Sequence, residues 1–146
     1  MEINEAVLSS PDLERAFIGC VLDGFIQLNK AIVGVSDSCL VQDTTNMIWK
    51  ALKASNKLIS NSEILEFCKA HGVVVKPSDL SKMRLEAKNA DPQMIITKLN
   101  DYEQRRFIAK KIVELHKSVM TLDVPSIETA GKIKAIGDDA MKIGGA

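Results

Sequence analysis

Apolar side chains recur along this chain every three or four residues, the rhythm of one buried helical face. The first stripe is Leu13, Phe17, Cys20 and Val21, introduced by Ser10-Pro11 and closed near Gly24. Serine can accept hydrogen bonds from first-turn amides, and proline suits the first helical position. Phe25, Leu28 and Ile32 suggest a short second helix ending near Gly34. Val35 to Val41 reads as a loop with one buried turn at Leu40. Asp43 is the expected cap of a third helix, with Met47, Ile48, Ala51 and Leu52 on its core face and Trp49 half-buried beside them. Ser60-Asn61-Ser62-Glu63 has the form of a capping box, and Gly72 supplies the stop after Ile64, Leu65 and Cys68. His71, in the last turn, is placed to meet free carbonyls. Val73-Val74-Val75 is the one strand-like run, but nothing can pair with it, so it reads as an extended connector. Ser78 begins a fifth helix with Leu80, Met83 and Ala87.

From Asp91-Pro92 to about Leu122 the chain has no further glycine or proline. That predicts a helix of ~30 residues and ~45 Å. Ile95, Leu99, Tyr102, Arg106, Ala109, Val113, His116 and Met120 form one stripe along it. Ile108, Ile112, Leu115, Val119 and Leu122 form a second, confined to the C-terminal half. One face can pack within the chain, and the other calls for a second partner. After Asp123-Val124-Pro125-Ser126, a last helix carries Ile133, Ile136, Ala140 and Ile143. The short connection and matched stripes predict an antiparallel helical hairpin. Gly131 and Gly137 weaken its second arm by about 1 kcal/mol each relative to alanine. Close helix contact and marginal stability both remain open as reasons for them.

The expected fold class is therefore all-α. A compact bundle of five to six helices spans residues 1–105, a long helical hairpin spans 106–143, and 144–146 are a linker start or chain end. The length of 146 residues suits this plan. Aromatic residues make up only 4%, so the core is expected to be aliphatic. A hydrophobic fraction of 46% with a formal net charge of zero does not describe a disordered chain. Zero net charge also argues against a dedicated nucleic-acid binder.

Chemistry is sparse. Cys20, Cys39 and Cys68 lack metal-ligand spacing and sit among apolar neighbours. Gly131-Lys132 has Ser126 where a phosphate loop needs glycine and Ile133 where it needs Ser or Thr. No catalytic, cofactor-binding or metal residue is expected. The best enzymatic fragment, His116 near Glu114 with Cys68, is outweighed by packing roles for each. Lys98 to Lys117 holds six Lys/Arg against three acidic residues. Arg105, Arg106, Lys110 and Lys111 are therefore candidate contacts for phosphate or an acidic partner. The competing reading is a solvated face with pairs such as Lys110–Glu114. No apolar run long enough for a membrane span occurs, and the N-terminus lacks a signal-peptide pattern, so a cytoplasmic location is expected.

Several motifs carry a resemblance. Pro11-Asp12-Leu13-Glu14-Arg15-Ala16-Phe17-Ile18-Gly19-Cys20-Val21-Leu22-Asp23 matches a proline, acidic residues and an apolar-Gly signature. Ile48-Trp49-Lys50-Ala51-Leu52 matches Ile-aromatic-x-Ala-apolar, and Leu58-Ile59-Ser60 with Gly72 matches the next helix start and stop. Gln104-Arg105-Arg106-Phe107-Ile108 matches an Arg-rich segment before an aliphatic hairpin. Together these resemble the N-terminal domain of the DnaB family of replicative DNA helicases, over essentially the whole chain. The motifs are loose. Thr45 stands where the family has histidine, the acidic cluster of the first helix is reduced to Asp12 and Glu14, and Ala87 to Pro92 replaces an Asn-Thr-Pro loop.

The resemblance implies a domain without ATPase activity whose hairpins pair between subunits, three such dimers forming a collar. It implies primase or a helicase loader as partner, DNA contact only through the parent protein, and ATP and Mg only in a motor domain outside this sequence. The interface residues it points to are Ile108, Ile112, Leu115, Val119, Leu122, Ile133, Ile136 and Ala140. Two alternatives stand beside it: the helicase-binding C-terminal domain of a primase, similar in fold, and a helical adaptor with weak nucleic-acid contact.

Overall fold

The computed structural model describes residues 8–121 and 125–143. Seven α-helices and one 3-10 turn occur there, with no strand among the described residues. The helices are α1 (Pro11–Leu22), α2 (Leu28–Gly34), α3 (Asp43–Ser55), α4 (Asn61–Ala70), α5 (Pro77–Ala87), α6 (Pro92–Met120) and α7 (Ser126–Met141), and the 3-10 turn is Asp37–Cys39. The protein is all-α, as the periodicity predicts.

The helix ends follow from side-chain chemistry. Ser10 Oγ accepts from the Leu13 amide at 3.3 Å. Asp91 Oδ1 accepts from the Gln93 and Met94 amides, so Asp91-Pro92 opens the long helix. Ser60 Oγ accepts from the Glu63 amide, but the Glu63 carboxylate takes the serine hydroxyl rather than the backbone amide expected of a full capping box. The start of α3 differs from expectation. Asp43 is its first helical residue rather than its cap. Glu14, from α1, accepts from the Gln42 amide at 2.9 Å and from the Thr45 hydroxyl at 2.7 Å. Gly24 and Gly72 take positive φ at the ends of α1 and α4, where a side chain would be strained.

The head is built around α1, which packs against α3, α5 and α6. Gly19 sits against the backbone of α5: a Cβ there would overlap the Met83 carbonyl and come within 2.9 Å of Ala87 Cβ. Trp49 is fully buried, not half-buried as its position on the helical wheel suggests. It meets Phe17 edge-on with centroids 5.0 Å apart, and its indole N–H donates to the Val35 carbonyl at 3.3 Å. The loop before α3 therefore closes over a side that the isolated helix leaves open. Ile95 and Leu99 complete this core from α6, which runs on unbroken past residue 105. Phe25 is not part of α2 and is exposed.

Candidate protein-docking interface

Where α6 leaves the head, it is fastened by polar groups. Arg106 is buried, and its guanidinium donates to the Leu8 carbonyl at 2.6 Å and the Ser38 carbonyl at 2.7 Å. One turn earlier, Glu103 accepts from the Ser36 hydroxyl at 3.0 Å and the Cys39 thiol at 2.9 Å. Asn100 donates to the Gly34 carbonyl at 2.9 Å. These bonds tie one face of α6 to the segment 34–39. Burial, then the hydrogen bond to Glu103, pushes the Cys39 thiol pKa up to about 12, so the thiol stays protonated as a donor.

Beyond Lys110, α7 is the described element that lies beside the long helix. Gln104 Nε2 donates to the Ala140 carbonyl at 3.0 Å near the base, and Lys132 Nζ reaches Ser118 Oγ at 3.5 Å toward the tip. The two arms therefore run antiparallel. A groove of about 300 Å³ follows one side of their seam, lined by Lys111, Glu114, Leu115 and Ser118 from α6 and Lys132, Ala135, Ile136 and Asp139 from α7.

Helical periodicity puts a different set on the opposite side of the hairpin. From α6 it is Ile108, Ile112 and Val119, with Leu115 turned into the seam; from α7 it is Ala130, Ile133, Gly137 and Met141, spaced 3-4-4. The exposed Lys134, four residues after Ala130 and three before Gly137, borders the α7 line. Exposure is 36% at Ile108, 47% at Ile112, 61% at Val119, 57% at Ile133 and 73% at Met141. Leu115 is half-buried against α7. Large aliphatic groups grouped this way on one side of an element make it a candidate surface for contact with another protein.

The expected interface residues separate into two groups. Ile108, Ile112, Val119 and Ile133 are exposed on that side. Ile136 is half-buried and Ala140 buried, because both face α6 within the hairpin; Ala140 is thus an intramolecular contact. Leu122 lies outside the described residues. The other stripe of α6 stops being core at Arg106, and His116 and Met120 beyond it are exposed. It fails there because α7 docks on a third face, that of Gln104, Lys111, Leu115 and Ser118.

The basic candidates also separate. Arg106 is consumed by the two carbonyls and is not a surface contact, which corrects its place among the phosphate candidates. Arg105 is paired with Asp101 at 2.8 Å. Lys111 pairs with Glu114 at 3.2 Å and lies 5.7 Å from the Phe107 ring centroid. Lys110 lines a cleft of about 530 Å³ at the hairpin base with Asp37, Glu103, Arg106 and Phe107, where both signs of charge are mixed. Cys68 is sealed in the head, its thiol pKa raised by burial, while His116 is exposed on α6, so the enzymatic fragment is not assembled. His71 Nδ1 lies 2.8 Å from the Phe67 carbonyl, and its ring stacks on Phe67. Among the described residues, no group of three or more His, Cys, Asp or Glu is placed to hold a metal ion. No helix there is long and apolar enough to cross a membrane.

Sequence reasoning did not find the Glu14–Thr45 pair, the Glu103 cluster or the Arg106 lock. Glu14 carried a signal: it lies at helical spacing with Phe17, Ile18 and Val21, on the core face of α1. Comparison with known proteins finds no matching family model, no matching curated protein and no matching solved structure.

Proposed function

We propose that this chain is an N-terminal dimerisation and partner-docking domain of a hexameric replicative DNA helicase of the DnaB kind, without catalysis of its own. The exposed aliphatic side of the hairpin, Ile108, Ile112, Val119 and Ile133, is the observation that carries this reading. Burying its side chains against a second copy contributes several kcal/mol gross, about 1.5–3 per large aliphatic group, before association costs. The motif residues add support through their packing. The apolar-Gly signature on α1 lets Gly19 touch α5, and the Arg-rich segment supplies Arg106, which fixes the hairpin to the head. In this reading ATP and Mg belong to a separate motor domain, and DNA is contacted through the parent protein. Primase or a helicase loader is the outside partner, and the cytoplasm the place of action.

A pull-down with the cognate helicase motor and primase tests the assignment. Capture of primase by this chain supports it. Capture of the helicase hexamer instead would assign the chain to the helicase-binding domain of a primase, which has the same plan of head and hairpin.

A further inference from the structure

We draw no further inference here: the strongest candidate, the groove on the head between α1 and the start of α6, with an apolar floor of Leu13, Ala90 and Met94 and the carboxylates of Asp12 and Glu86 beside it, carries nothing, because Arg15 already pairs with both carboxylates and nothing in the structure shows what covers it.

Discussion

Gly19 of α1 packs directly on the main-chain carbonyl of Met83 in α5, so that even a methyl group at position 19 overlaps backbone. The two helices approach closely because nothing projects between them. Backbone cannot rotate aside as a long side chain can. Gly19→Ala is therefore expected to destabilise the fold by about 3 kcal/mol, the upper part of the range for overpacking. Urea denaturation checks this. A loss below about 0.5 kcal/mol would mean that α1 and α5 do not meet this tightly.

The Glu14–Thr45 pair replaces a cap that α3 lacks from its own residues. Both groups are buried, and the carboxylate has the Gln42 amide and the Thr45 hydroxyl as its donors. Thr45→Val keeps the shape and removes one donor, at an expected cost of about 1–3 kcal/mol. Thr45→Ser restores the hydroxyl and is expected to recover most of it. Equal losses in the two variants would point to packing rather than the hydrogen bond.

Neighbouring arginines are expected to behave differently. Arg106 donates to two carbonyls from a buried position, and its replacement by leucine leaves both oxygens without their charged donor. About 2–4 kcal/mol of stability should be lost. Arg105 is exposed with an exposed partner, Asp101, and Arg105→Ala should change stability by no more than about 0.5 kcal/mol. Thermal melts of the two variants side by side check the contrast.

The start and stop signals were legible in the sequence. Ser10-Pro11, Asp91-Pro92, Ser60 and Gly72 all act as local chemistry dictates, and the end of α6 falls at Met120, close to the expected Leu122. These features depend on residues within one turn of each other. Trp49 and Arg106 were misjudged because their burial depends on segments distant in sequence, the loop at Val35 and the carbonyls of Leu8 and Ser38. The candidate surface was half legible. Ile108, Ile112 and Val119 could be read as a second apolar stripe, but which side of α7 would share their face depends on how the arms pack. Ala140 was placed in the interface for lack of that information.

Cys39 gives a pH test. Its thiol pKa rises from an ordinary value of 9.0 to about 12 in the folded protein, through burial and donation to Glu103. Between those values the unfolded chain releases the proton while the folded chain keeps it. Stability contributed by this group is thus present below pH 9 and lost as pH rises toward 12. Other groups titrate in that window, so the measured quantity is the difference between wild type and Cys39→Ala. That difference is expected to shrink from pH 8 to pH 11. A difference that stays flat would mean that Cys39 is not held as a protonated donor.

Self-association through the aliphatic side of the hairpin is the central claim. Sedimentation equilibrium of the wild-type chain and of Ile112→Glu at equal concentration tests it most directly. Ile112 is exposed and away from the head core, so a glutamate there leaves the fold intact while placing a charge in the middle of the aliphatic side. The expected result is a dimer for the wild type and a folded monomer, by circular dichroism, for the variant. A wild-type monomer at high micromolar concentration, or a dimer indifferent to the glutamate, would contradict the claim.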